Sequence, residues 1–178
     1  MERLWAPWRL QYITQDKPGG CIFCEKPLAG DDRAAYIVRR GTHAYVMLNA
    51  FPYNNGHIMV APYAHLADLE ELPPQTLHEM MDLAQLSTRA LKLVLSPDGL
   101  NAGLNLGAAA GAGIKDHLHL HLVPRWQGDT NFMPVIGDVR VIPQSLDQSY
   151  QLLTDAFDEL DRGERGEQVP GAPPGGGR

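Results

Sequence analysis

Residues 117–121 read His-Leu-His-Leu-His and are followed by Leu122 and Val123. Side chains of an extended chain alternate between two faces. The segment can therefore bury Leu118, Leu120 and Leu122 only by presenting His117, His119 and His121 together on the opposite face, about 7 Å from one to the next. A core layer is needed beneath the leucines, and Pro124 is expected to end the strand. A half-buried strand with polar residues outward would explain one histidine more readily than three of the chain's seven in strict alternation. Spacing alone leaves two readings open. The row could chelate a metal ion, or a neutral imidazole could attack phosphorus while its neighbours hold the phosphate. Gly107, Gly111 and Gly113 lie just upstream and can bring backbone N–H groups close to phosphate oxygens, which favours phosphoryl chemistry.

The remaining pattern places this segment in an α+β domain. Strands are expected at Ala35–Arg39 and Ala44–Leu48, joined as a hairpin around Gly41. Further strands are expected at His57–Ala61, ended by Pro62, at Leu100–Leu106 and at His117–Val123. A long helix is predicted over Pro74–Leu95, with Leu77, Met80, Met81, Ala84, Leu91, Val94 and Leu95 as its core stripe. A shorter helix is expected over Leu146–Leu160. Residues 1–20 read as an N-terminal arm carrying Trp5 and Trp8, residues 21–162 as the domain, and residues 163–178 as a disordered Gly/Pro tail. His43 and His78 carry no assigned role.

A length of 178 residues suits one domain with a sizeable core. The net charge of -6 argues against a general nucleic-acid or membrane-surface binder, although one nucleotide pocket needs few cations. No apolar run reaches membrane-spanning length and the N-terminus does not begin like a signal peptide, so a cytoplasmic protein is expected. Cys21 and Cys24 are too close to form a useful disulfide framework, and Cys-x-x-Cys is half of a zinc site by spacing. A redox pair or two buried thiols are the alternatives, although no thioredoxin-like helix start is expected around them.

The sequence resembles the histidine-triad (HIT) superfamily, whose motif alternates His with apolar residues and closes on two apolar positions, as in His117 to Val123. The resemblance spans roughly Cys21 to Trp126. It includes Asn49, Pro52, Gly56-His57, Pro62 and His65, and Asn105-x-Gly107. Leu4 to Arg9, Ala110 to Ile114, Val123 to Trp126 and Gly128 to Pro134 are similar to bacterial members, which include diadenosine tetraphosphate phosphorylases.

The resemblance implies an antiparallel five-stranded sheet with one long and one shorter helix, continued across a homodimer. It implies that His119 attacks the α-phosphate to form a nucleotidyl-histidine, with the His117 carbonyl fixing its tautomer. His121 would donate to the phosphate or leaving group, with His57 and Asn105 in the same pocket. Asn49 would contact ribose, and Ile22, Phe23 and Leu48 would flank adenine. Zinc held by Cys21, Cys24, His65 and His117 would be structural, and no catalytic metal would be required.

Many members carry Gln then Ser or Thr before the triad. Here Gly113-Ile114-Lys115-Asp116 makes that loop one residue longer. The extra backbone and Lys115 favour inorganic phosphate as acceptor, giving phosphorolysis of diadenosine tetraphosphate to ADP and ATP. The alternatives are hydrolysis of dinucleoside polyphosphates, nucleoside phosphoramidates or adenylated substrates, or a nucleotide-binding module with little activity.

Overall fold

The computed structural model describes residues 20–129 and 142–164. The expectations for the N-terminal arm, for residues 130–134 and for the tail beyond residue 164 lie outside them.

Five strands form one antiparallel sheet: β1 (Ile37–Arg40), β2 (Ala44–Leu48), β3 (Ile58–Pro62), β4 (Gly99–Leu104) and β5 (Leu120–Arg125), in the order β1-β2-β3-β5-β4. Two helices, α3 (Pro74–Leu95) and α4 (Leu146–Glu164), cover one face, and two short ones, α1 (Ile22–Leu28) and α2 (Asp32–Ala35), precede β1. The strand period decides what each face receives. Val46, Leu48, Ile58, Val60, Leu118 and Leu122 pack beneath the long helices with Met80, Leu83, Ala84, Leu91, Leu153 and Phe157. Tyr45, Met47, Met59 and Ala61 point to the other face, where they form a second cluster with Phe23 and Ile37. Histidines 57, 117, 119 and 121 are all buried.

Of the two prolines expected to end strands, Pro62 is the last residue of β3, whereas Pro124 lies inside β5, one residue before its end. Pro62 pairs with Ala44 on β2, and Pro124 pairs with Leu100 on β4. Each turns its carbonyl away from that partner, toward the side chains of His117 and Asn54 respectively. The nitrogen on the same side has no ladder partner to lose, because the β3–β5 ladder runs only over Ile58–Val60 and Leu120–Leu122.

Strand β5 begins at Leu120, so His117 and His119 precede the ladder. Their alternation persists because Leu118 donates its N–H to Leu66 O (2.7 Å) and buries its side chain under the helices.

The long helix has the expected limits, but its buried stripe is turned. Met81 is 53% and Leu77 36% exposed, while Thr76, Met80, Leu83, Ala84, Ser87, Ala90 and Leu91 face inward. Small residues occupy much of the inner face because α3 must approach both the sheet and α4. The expected first strand is also shorter. Asp31 caps α2 by accepting from Ala34 N (3.0 Å), and Tyr36 adopts φ 57° before β1 starts. A helix does start at the cysteine pair, with Cys21 as its N-cap. Among the described residues no helix is long and apolar enough to cross a membrane.

Candidate active site

The site lies where the segment leading into β5 passes the end of β3 and the start of α1. Cys21 caps α1 and Cys24 is its third residue, so both thiols lie on one side of the first turn. His117 faces them: its Nδ1 lies 3.3 Å from Cys21 Sγ, 3.5 Å from Cys24 Sγ and 3.3 Å from His65 Nδ1. His65 Nδ1 is also 3.3 Å from Cys24 Sγ. The four ligand atoms lie within 4.8 Å of one another. The Pro62 carbonyl can only accept, so His117 Nε2, 2.9 Å away, carries the proton and leaves Nδ1 as a lone pair facing the thiols. Burial and the neighbouring Cys21 push the Cys24 thiol up to about 11. A thiol so raised is a poor redox nucleophile, whereas a bound cation converts such thiols to thiolates. Two sulfurs and two imidazoles match a tetrahedral structural zinc site.

His119 Nδ1 donates to the His117 carbonyl at 2.8 Å, so in the neutral ring Nε2 holds the lone pair. Burial lowers the pKa of His119, partly opposed by that carbonyl. The Tyr53 N–H, necessarily a donor, lies 3.0 Å from His57 Nδ1. His57 therefore carries its proton on Nε2 and donates to His121 Nδ1 at 2.9 Å. Burial, followed by His121 and His119, holds His57 down to about 3, so it stays neutral. His121 in turn carries its proton on Nε2; the atom 3.4 Å from it is Asn105 Nδ2, and since two N–H groups cannot bond, the Asn105 amide accepts that proton only with its oxygen and nitrogen exchanged. A lone pair on His119 thus neighbours an N–H on His121, with ring centroids 4.8 Å apart and planes at 74°.

The other expected residues fall differently. Phe23 and Leu48 are each 1% exposed. The Phe23 ring packs on His119 (4.6 Å between centroids) and His117 (5.1 Å), and Leu48 lies under the helices. Of the three side chains expected to flank a base, only Ile22, 37% exposed, presents surface. Asn49 accepts from Phe51 N (2.9 Å), and its Nδ2 lies 3.3 Å from His57 Nδ1, so it shapes the loop beside His57. The upstream loop contains a 3-10 turn at Ala108–Ala110, with Gly107 at φ 75° and Gly111 at φ 86°. The Gly111 N–H is engaged by Ala108 O, which removes it from the expected phosphate cradle. Gly113 is half-buried and Lys115 exposed.

Tyr53, the Pro62 carbonyl and Tyr45, whose hydroxyl donates to Phe23 O at 2.8 Å, carried no sequence signal. The first two act through the main chain, and the third is one aromatic residue of an ordinary strand.

Neutral imidazoles arranged as lone pair and adjacent donor have the chemistry of a nucleophile beside a proton donor. The HIT domain family model matches residues 33–128, and the chain belongs to that family. It is 41% identical over 162 residues to a Mycobacterium tuberculosis protein named AP-4-A phosphorylase, covering 86% of this chain and 83% of that protein. A crystal structure of a Zn-bound histidine triad family protein from Mycobacterium smegmatis matches with a TM-score of 0.63 and 31% identity, over 81% of this chain and 97% of that one. A histidine triad nucleotide-binding protein from Sulfolobus tokodaii, described as hypothetical, matches with a TM-score of 0.66 and 25% identity, over 80% and 95%.

Proposed function

We propose that this chain is a nucleotide phosphotransferase that cleaves diadenosine tetraphosphate or a related dinucleoside polyphosphate, with inorganic phosphate as acceptor. The observation that carries this reading is the pairing of the His119 Nε2 lone pair with the His121 Nε2–H. The similarity to an AP-4-A phosphorylase supports the substrate class.

In the first step His119 Nε2 attacks the α-phosphorus, forming a P–N bond as the P–O bond to departing ATP breaks. His121 supplies the proton or hydrogen bond on the leaving side. In the second step a phosphate oxygen attacks the same phosphorus, the P–N bond breaks and ADP is released. Diadenosine tetraphosphate and phosphate thus give ATP and ADP. Buried His57 holds His121 in the donating tautomer. Asn105 lines the pocket, Asn49 and Ile22 are assigned to the nucleoside, and Gly113 and Lys115 to the phosphates.

Cys21, Cys24, His65 and His117 would hold zinc, which supplies a structural tie between α1 and the triad segment. The assembly is read as a homodimer formed along outer strand β4, where Asn101 to Gly103 are exposed. Product analysis tests the reaction: ADP and ATP in equal amounts, dependent on added phosphate, are expected. AMP as main product with and without phosphate would overturn phosphorolysis. His119→Ala must abolish turnover while nucleotide still binds.

A further inference from the structure

The stretch Arg125-Trp126-Gln127-Gly128-Asp129 leaves the end of β5 and takes no part in the reaction above. Gly128 at φ 75° folds it back, with Asp129 N donating to Trp126 O at 3.1 Å. The Asp129 carboxylate is thereby placed against Arg125, accepting Nε on Oδ2 (2.6 Å) and Nη2 on Oδ1 (2.8 Å). Its Oδ2 also accepts from Trp126 N (3.2 Å) and from Asn54 Nδ2 (2.9 Å). Asn54 Nδ2 donates in addition to Pro124 O (3.1 Å), and Asn54 Oδ1 accepts from Asn55 N (3.0 Å), which fixes its amide orientation.

Asn54 sits in the loop that decides the tautomer of His57. Its carbonyl accepts the His57 N–H at 3.2 Å, and its neighbour Tyr53 aims an N–H at His57 Nδ1. No sheet ladder holds residues 49–57, so their geometry depends on local bonds, on Asn55 Nδ2 donating to Gln144 Oε1 (2.7 Å) and on the tie from Asn54 to the end of β5, which is the tie next to Tyr53. We propose that Asp129 is a positioning residue for the His57–His121 pair, acting through Asn54. It keeps the Tyr53 N–H on His57 Nδ1 and so keeps the His121 Nε2–H directed into the site. A carboxylate suits this task because two acceptor oxygens serve a bidentate Arg and an amide together. Asparagine offers one acceptor oxygen and must turn an N–H toward either Arg125 Nη2 or the Arg125 Nε and Asn54 donors.

The inference rests on the tautomer relay of the proposed function, and one experiment separates the two. Histidine ring nitrogens are assigned by 15N NMR in full-length protein as purified, and kcat and KM for diadenosine tetraphosphate cleavage are measured alongside. The wild-type protein is expected to show Nε2–H tautomers at His57 and His121. Nδ1–H tautomers there would overturn the relay and this inference with it. Asp129→Asn is expected to give mixed tautomers at both rings and a loss in kcat of about tenfold to a hundredfold, with KM changed less than about twofold. Unchanged tautomers in the variant, with or without a loss in kcat, would overturn the positioning role and leave the relay standing. Asn54→Leu cuts the same tie from the other end and must reproduce the effect, which covers the case in which Asp129→Asn fails to fold.

Discussion

His57 should make the protein acid-labile by an amount that can be worked out. The ring is 1% exposed and held down to about 3 from an ordinary 6.5, first by burial and then by His121 and His119. The folded-state pKa lies below the unfolded one, so the unfolded chain takes up a proton that the native state refuses. The stabilising contribution is complete above 6.5 and is lost as pH falls from 6.5 toward 3. At 1.36 kcal/mol per unit, this group removes about 2 kcal/mol between pH 7.5 and pH 5.0, and about 4 kcal/mol by pH 3. That is a large share of a typical domain stability of about 5–15 kcal/mol. His117 and His119 are also lowered by burial and act in the same direction. The wild type must therefore be read against His57→Gln. Urea unfolding followed by far-UV circular dichroism at pH 7.5 and 5.0 gives four free energies. The wild type should lose about 2 kcal/mol more than the variant over that interval. Equal losses, within about 0.5 kcal/mol, would refute the claim that His57 is buried in its neutral form.

Other perturbations test the supports of the site. Cys21→Ala should abolish stoichiometric zinc in metal analysis and lower Tm while leaving measurable turnover; full zinc occupancy in the variant would remove Cys21 from the ligand set. Tyr45→Phe deletes the hydroxyl bonded to the Phe23 carbonyl at 2.8 Å and should cost about 1–2 kcal/mol in denaturant unfolding. Glu79 accepts backbone N–H groups from Thr42 (2.7 Å), His43 and Ala44 (2.9 Å), and its pKa is lowered by these bonds against the opposing effect of burial. Glu79→Ala should therefore cost about 1–3 kcal/mol and speed amide exchange at the β1–β2 turn, with little change in KM. Light scattering should give the mass of two chains if β4 is the seam of a dimer.

The alternation from His117 to Leu122 specified which faces the leucines and histidines take, because side-chain direction in an extended chain is local. It could not specify where β5 begins, since pairing depends on β3, and the β3–β5 ladder covers only three residue pairs. The helix over Pro74–Leu95 was legible from its period and its bounding Pro and Ser-Pro signals. The turned stripe was not, because Leu77 and Met81 lie outside a contact face fixed by two neighbours at once. Cys-x-x-Cys suggested half of a metal site, and the fold brings His65 and His117 to the two thiols, while the placement of the pair at a helix start required the fold. Phe23 and Leu48 are apolar at positions where both a base pocket and a core want apolar residues, so sequence could not separate the two uses. The Tyr53 N–H and Pro62 carbonyl are main-chain groups, invisible to any reading of residue types.

His117 serves two neighbours with different parts of itself: its ring belongs to the thiol cluster, and its carbonyl holds His119. Because the second contact is made by the backbone, no side-chain replacement at 117 removes its acceptor. The two halves of the site are therefore separable modules. Exchanging Cys21, Cys24, His65 and the ring of His117 as a set for an apolar plug should leave His119 its tautomer as long as residues 117–119 stay extended. A metal-free form of this architecture should be reachable by redesigning packing alone.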